Sequence, residues 1–196
     1  NRRQNYSAFV MQGRAPMITL AVSKKNMPDY KSPADLKGKK IGVTAPGSST
    51  NMLVNFFLAQ HDLKATDVSI IGVGAGTGAV NAIRSGQVDA ISNVDPVIST
   101  LEHEGLLDVI VDTRKLDDSE AIFGGPMPSS CLYASQKFID ENPNTCQALA
   151  NAIIKADKWI QEASAEEIMA TVPEQYLLGN PEVYRRALEA SREALS

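Results

Sequence analysis

The stretch Ser32-Pro33-Ala34-Asp35-Leu36-Lys37-Gly38-Lys39-Lys40-Ile41-Gly42-Val43-Thr44-Ala45-Pro46-Gly47-Ser48-Ser49-Thr50 passes through three structural transitions in succession. Ser32, Pro33 and Asp35 stand at the N-cap, N1 and N3 positions of a short helical turn, and Gly38 lies just past its end. Lys39 to Thr44 then reads as a strand. Pro46-Gly47 breaks it, and Ser48, Ser49 or Thr50 can cap a helix running to about His61. Met52/Phe56 and Leu53/Phe57 are apolar pairs four residues apart on that helix.

The same unit recurs downstream. Val68 to Val73 reads as a strand, Gly74 to Gly78 as a flexible turn, Ala79 to Ser85 as a short helix stopped by Gly86, and Val88 to Ser92 as another strand. Asp95-Pro96 opens a helix, with Asp95 as N-cap and Pro96 at N1, that ends near Gly105. Leu107 to Val111 closes the series as a strand. Strands alternating with helical patterns at this spacing predict an α/β fold with a mostly parallel sheet and helices on both faces. Residues 32–112 are thus expected to form one α/β lobe.

On either side the texture differs. Met17 to Val22, a short apolar run after Pro16, reads as a buried strand. Residues 113–129 contain Gly124-Gly125-Pro126 and Pro128 and are expected to be a long irregular connection, not a helix. Ser130 to Ser135 is a last short strand. Beyond it come three helices. Asn142-Pro143 opens one with the stripe Leu149, Ala152, Ile153, Ala156, Trp159 and Ile160. Ser164 with Glu167 makes a capping box for a second helix, stopped by Pro173, and Asn180-Pro181 starts a third with Tyr184, Leu188, Ser191 and Leu195 on one face.

The 196 residues suffice for one ordinary domain or two small ones, and 43% hydrophobic content supports a core, which excludes collagen-like and disordered classes. With 19 Lys+Arg against 23 Asp+Glu, the net charge of -4 gives no electrostatic reason to expect nucleic acid as a partner. No apolar run has the length of a membrane span, and the first ten residues lack the apolar centre of a signal peptide. The chain opens on Asn1, not Met, without a capping or turn signal, and is expected to be the later part of something longer. Cys131 and Cys146 fit no Cys-x-x-Cys motif and read as two buried thiols, with a single bridge in an oxidising compartment as the alternative.

Metal and nucleophile motifs are thin. His61 and His103 each fall near the end of a predicted helix, a usual place for a dipole partner or surface residue. Neither has a second His or Cys at ligand spacing, and there is no Gly-x-Ser-x-Gly elbow or Walker loop. Asp117-Asp118 reads as part of a solvated charged loop.

Three segments have chemical content. The first is Ala45-Pro46-Gly47-Ser48-Ser49-Thr50, where a strand ends and a hydroxyl-rich helix begins. Such a terminus offers unpaired N–H groups and the positive end of the dipole to an anion or polar ligand head, although capping alone also explains its hydroxyls. The second is Gly72-Val73-Gly74-Ala75-Gly76-Thr77-Gly78-Ala79. From Gly74 it matches G-x-G-x-x-A, with Asp95 about twenty residues on, as in a dinucleotide fingerprint. Against that reading, the chain after 112 offers no second βαβ half, and Asp95 before Pro96 reads better as an N-cap. The third is Ser85-Gly86-Gln87-Val88-Asp89-Ala90 followed by Ile91-Ser92-Asn93-Val94-Asp95-Pro96, a strand that delivers Asn93 and Asp95 to the same sheet edge as the two glycine turns. Ligands of open α/β sheets bind at that edge.

At these residues the sequence resembles the periplasmic solute-binding proteins of ABC importers, of the nitrate/sulfonate/taurine and thiamine-pyrimidine-like group. The match lies in Ser32-Pro33-Ala34-Asp35-Leu36-Lys37-Gly38-Lys39-Lys40-Ile41-Gly42-Val43, in Pro46-Gly47-Ser48-Ser49, in Ile83-Arg84-Ser85-Gly86-Gln87-Val88-Asp89-Ala90 and in Asp95-Pro96, and extends over nearly the whole chain. Residues 137–170 also look like the family's late helices, including the Trp159 position.

The resemblance implies a type II periplasmic-binding-protein fold, two α/β lobes closing on a small solute. Residues 1–31 would end lobe one and include a first crossing strand at 17–22. Residues 32–112 would be lobe two, 113–135 a connection with the return crossing strand at 130–135, and 136–196 helices that normally pack on lobe one, most of which is expected to be absent. Ser48, Ser49 and Thr50 would contact the solute from a helix N-terminus, Gly76 and Thr77 would line the neighbouring loop, and Asn93 with Asp95 would form the far wall. The implied function is binding without turnover and without a cofactor. The partners would be a small-molecule solute (sulfonate, nitrate, taurine or a pyrimidine-like heterocycle) and an ABC permease in the membrane. The protein would be a monomer, periplasmic or tethered outside the cytoplasm as a lipoprotein. Alternatives are a TRAP-type solute receptor, a dinucleotide-binding enzyme, or a thiamine-pyrimidine synthase of the same fold. The last consumes its own histidine and a pyridoxal cofactor, and neither His61 nor His103 sits in a Gly-rich loop facing the cleft.

Overall fold

A computed structural model of the chain describes residues 5–173 and 180–195. In chain order they form β1 (Tyr6–Gly13), β2 (Thr19–Ser23), β3 (Lys40–Val43), α1 (Ser49–Gln60), β4 (Ser69–Gly72), α2 (Thr77–Ser85), β5 (Ala90–Asn93), α3 (Val97–His103), β6 (Leu107–Asp112), α4 (Leu116–Phe123), β7 (Ser129–Ser135), α5 (Gln136–Glu141), α6 (Pro143–Glu162), α7 (Ala165–Thr171) and α8 (Pro181–Ser191). The chain divides into two compact units. One comprises Asn1–Pro16, Arg114–Gly179 and Leu188–Ser196, and the other comprises Met17–Thr113 and Asn180–Ala187.

The second unit is built on a five-stranded sheet of order β4-β3-β5-β2-β6. β3 runs parallel to β4 and β5, while β2 lies antiparallel to both β5 and β6, so it alone opposes the other strands. The mostly parallel sheet expected from the βα alternation is therefore present, but the strand expected to cross between lobes at 17–22 lies inside the sheet. The physical reason is legible in β2 itself. All five residues of Thr19-Leu20-Ala21-Val22-Ser23 are buried, as suits a strand covered on both faces. The unit comprises Met17–Thr113 together with Asn180–Ala187, so β2 belongs to it along with the strands of 32–112.

Helices cover both faces of this sheet. Ala82 and Ile83 of α2 and Val97, Ile98 and Leu101 of α3 pack with Ala21, Val88, Ile91 and Leu107 in one buried cluster. α1 buries Leu53, Val54, Phe57 and Leu58. Met52 and Phe56, the other apolar pair expected on that helix, are exposed, because they lie a helical step aside from the covered stripe. The predicted turn at Ser32 is a 3-10 helix, Pro33–Leu36, whose Asp35 carboxylate accepts from the Lys31 and Ser32 N–H groups at 2.9 Å each. Those bonds hold the Asp35 carboxyl below its usual range.

The Gly86-Gln87-Val88-Asp89 turn has a clamp not anticipated from the sequence. Asn26 Nδ2 donates to the Gly86 and Val88 carbonyls and to Asp89 Oδ1, while Asp89 Oδ2 accepts from the Lys40 N–H. Gly86 ends α2 at φ +78, where a side chain would be strained and would also meet Asn26.

In the first unit β1 pairs antiparallel with β7 as a two-stranded sheet. The strand at 130–135 is present, and its partner at 6–13 was not anticipated. The irregular connection expected over 113–129 is corrected: it contains α4. Asp117 and Asp118, taken for a charged loop, occupy the first turn, where acids favour the helix dipole, and Gly124 at φ +77 closes the last. The capping box of α7 is as expected, with Glu167 N–H donating to Ser164 Oγ at 3.2 Å and Ser164 N–H to Glu167 Oε2 at 2.8 Å. Neither cysteine is bridged: Cys146 is buried, but Cys131 only partly so.

The stripe expected on α6 is displaced. Its buried residues are Cys146 and Asp157, whereas Leu149 and Trp159 are exposed. The apolar arc of this helix is wider than the face the unit covers, and its covered centre falls on the Asp157 side.

Burial pushes the Asp157 carboxyl up from its usual range. An acid whose folded pKa exceeds its unfolded one favours folding only while protonated, so stability falls as pH rises through the folded value. Asp157→Asn is therefore expected to raise the thermal midpoint, by more at about pH 7 than at about pH 3. Equal shifts at both would mean that desolvation of the charge is not the cause.

Candidate functional site

All the site residues singled out from the sequence lie in the second unit, at the carboxyl edge of its parallel strands. β3 and β4 are neighbours running the same way, so the helix after each starts at that edge. α1 opens at Ser49 and α2 at Thr77. The turns feeding them are stitched together by Val73 N–H to the Val43 carbonyl at 2.8 Å and Gly74 N–H to the Thr44 carbonyl at 3.1 Å.

The start of α1 is a knot of hydroxyls. Ser48 is the N-cap and accepts from the Asn51 N–H. Its Oγ lies 2.7 Å from Thr50 Oγ1 and 2.9 Å from Thr44 Oγ1, and the two threonine hydroxyls are 2.9 Å apart. Thr50 also accepts from the Thr44 N–H at 3.0 Å and is buried. Gly47 turns the chain at φ +82, with its N–H donated to Asn51 Oδ1 at 2.9 Å. The three adjacent hydroxyl residues thus divide the work: Ser48 and Thr50 build the turn, and Ser49 stands exposed on it.

On the neighbouring turn Gly76 and Thr77 are both exposed, and Gly76 is the N-cap of α2 without a side chain to satisfy the first N–H groups. Two helix starts therefore present backbone N–H groups and the positive ends of their dipoles at one edge. The segments 44–50, 74–79 and 92–96 contain no Lys or Arg.

Asn93 and Asp95 sit differently from the expected far wall. Asn93 is fully buried, with Nδ2 donating to the Gly74 carbonyl and Oδ1 accepting from the Val94 N–H, each at 2.9 Å. It is a strut beneath the Gly74 turn. Asp95 Oδ1 accepts from the Ser99 N–H at 2.9 Å, so its side chain satisfies an early amide of α3 as its position before Pro96 suggested, although the backbone N-cap is Pro96 and the helix opens at Val97, one residue later than expected. That use also counts against a ribose ligand in a dinucleotide site. Two residues missed from the sequence belong to this edge: Thr44, in the hydroxyl knot, and Ser92, whose buried Oγ donates to the Thr50 carbonyl at 2.9 Å. Strand alternation would have found Ser92, since it must point away from the face that takes its apolar neighbour Ile91.

The histidines are elsewhere. His61 follows the last residue of α1, with its ring against Phe57, and His103 ends α3; both are exposed. The length of α1, on the order of 18 Å, separates His61 from the helix start. Among the described residues no three His, Cys, Asp or Glu side chains are grouped to hold a metal.

Two substitutions separate capping from turn geometry. Ser48→Ala is expected to lower stability by about 1 kcal/mol through the lost cap. Gly47→Ala is expected to cost roughly 1–2 kcal/mol through its left-handed backbone. Denaturant unfolding measures both, and a neutral Gly47→Ala would show that this turn does not need its positive φ.

Comparison with known proteins gives a consistent set of likenesses. Residues 6–173 match the profile of the NMT1-like family. A Brucella abortus relative, provisionally named a binding protein, is 32% identical over 132 residues, which make up 66% of this chain and 39% of that protein. The nitrate/nitrite binding protein NrtA of Nostoc is 22% identical over 170 residues, 86% of this chain and 37% of its own. A solved structure from Bordetella bronchiseptica RB50 is 68% identical with a TM-score of 0.91, covering 98% of this chain and 61% of the other. The periplasmic aliphatic sulphonate binding protein SsuA from Escherichia coli has a TM-score of 0.71 at 24% identity, covering 92% and 55%, a likeness of fold alone. The chain spans about two fifths of the length of these curated relatives.

Proposed function

Because this chain belongs to the NMT1-like family and has the α/β fold of type II periplasmic binding proteins, we propose that it acts by binding a solute and not by turning it over. The observation that carries this reading is the pair of helix starts at Ser49 and Thr77, side by side after parallel strands, with Ser49, Gly76 and Thr77 exposed. Such an arrangement suits a small oxyanion head group: dipoles and N–H groups favour negative charge without requiring a cation. The names of the relatives point the same way, since SsuA and NrtA are described as binding sulphonates and nitrate or nitrite.

The solute is accordingly a sulfonate such as taurine, or nitrate, with a pyrimidine-like heterocycle as the less well supported choice. Ser49, Gly76 and Thr77 touch it; Ser48, Thr50 and Asn93 shape the turns that do; Asp95 caps the helix beside them. Delivery is to an ABC permease outside the cytoplasm, by a monomeric binding component. No described helix is long and apolar enough to cross a membrane. An enzyme that consumes its own histidine fits poorly, because His61 and His103 stand at helix ends away from this edge.

A thermal-shift panel of taurine, ethanesulfonate, nitrate and a hydroxymethylpyrimidine, with NAD and pyridoxal phosphate as controls, tests the reading. One of the oxyanions is expected to raise the midpoint, and calorimetry with Ser49→Ala is then expected to show roughly tenfold weaker binding, as for a hydrogen bond to a charged group. A response to NAD or pyridoxal phosphate and to none of the anions would overturn it.

A further inference from the structure

We infer that Ser92 and Asn93, the last residues of β5, are positioning residues that lock the two proposed solute-binding turns to one another. The assignment of a solute to these turns rests on the reading above; the lock itself rests on geometry. Consecutive residues of a strand point to opposite faces of the sheet. Ser92 therefore reaches the α1 side, where its Oγ donates to the Thr50 carbonyl at 2.9 Å. Asn93 reaches the other side, where Nδ2 donates to the Gly74 carbonyl at 2.9 Å.

The sheet ladder could not make this second link. β5 borders β3 and β2, while Gly74 follows β4 on the far side of β3. The Asn93 side chain spans past the end of β3 to a turn that β5 cannot pair with. Gly74 in turn donates its N–H to the Thr44 carbonyl at 3.1 Å, and the Thr44 N–H donates to Thr50 Oγ1 at 3.0 Å. Since Thr50 is held by Ser92, and Ser92 is bonded covalently to Asn93, the path closes on itself: Asn93, Gly74, Thr44, Thr50, Ser92. Four of the five links between these residues are hydrogen bonds and the fifth is the peptide bond between Ser92 and Asn93; Thr50, Ser92 and Asn93 are buried. A closed ring restrains both turns at once. Opening it at one residue leaves the other links in series and loosens both turns, whereas losing an independent strut loosens only the turn it touches.

Native-state hydrogen exchange of the full chain reads this directly. Ser92→Ala, which removes one hydroxyl and little volume, is expected to speed exchange of the amides in both 47–50 and 74–77 by about fivefold, a coupling of ordinary size for groups in one network. Amides of β2 should be unchanged, and Ser92→Thr, which keeps the hydroxyl, should restore the parent pattern. Asn93→Ser serves as the second variant and is expected to affect the same two segments. Exchange that rises only at 47–50 in Ser92→Ala, or uniformly through the unit, overturns the ring. Calorimetry with ethanesulfonate, taurine and nitrate adds the binding arm, where both variants are expected to bind about fivefold more weakly. A parent protein that binds none of these anions overturns the solute reading, while the exchange pattern still decides the ring.

Discussion

Parallel pairing of β3 with β4 is the constraint on which the rest of the second unit depends. Two parallel neighbours cannot be joined by a tight hairpin; the chain must leave at one edge and return to the other. α1 makes that return, and α2 makes the next from β4 to β5. Both helices consequently begin at the same edge and put their unpaired N–H groups there. The candidate site is thus a consequence of strand direction first and of side chains second. The side chains refine it: Gly47 turns the chain sharply, Ser48 caps, and the hydroxyl knot of Thr44, Ser48 and Thr50 fixes the turn.

β2 gives the sheet its remaining character. It enters antiparallel between β5 and β6, so β5 is interior and bonded on both sides. An interior β5 is what buries Ser92 and Asn93 at its end. Buried polar groups are stable when paired, and both are paired to backbone carbonyls of the turns that open α1 and α2. The edge is thereby stiffened from below by residues that solvent does not reach.

Local signals were legible in the sequence wherever the chemistry of a transition is local. Ser32 with Asp35, Ser48 before α1, Gly86 after α2 and Ser164 with Glu167 all act within a few residues, and each does in the structure what its position suggested; Asp95 bonds the Ser99 N–H as a capping side chain would, with the helix opening one residue later than expected. The failures are of two kinds. α4 was hidden because Asp117, Asp118 and Gly124-Gly125 carry equal weight as loop residues and as helix ends, and only the packing of Ser119 and Ile122 decides between them. The place of β2 was hidden because an apolar run tells that a strand is buried but not between which neighbours. The same limit concealed the roles of Asn26 and Asn93, whose partners lie on distant segments.

Within the candidate site, the distinction between touching a ligand and shaping the place for it follows from burial. Ser48, Ser49 and Thr50 look equivalent as a sequence, yet helical geometry separates them by about 100° per residue. Thr50 turns inward to meet Thr44, Ser48 remains at the cap, and Ser49 faces out. An anion at this edge would meet the hydroxyls of Ser49 and Thr77, the exposed turn at Gly76, and the ends of two helix dipoles, with no Lys or Arg in the turns themselves. Within the segments 44–50, 74–79 and 92–96 the one carboxylate is that of Asp95, and its bond to the Ser99 N–H places it at the positive end of α3, where the dipole offsets its charge. Neutral dipoles can hold an oxyanion only if they are fixed before it arrives, because mobile N–H groups would favour water equally well. Rigidity of the two turns, supplied from β5, is therefore as much a part of this site as the groups that face the solvent.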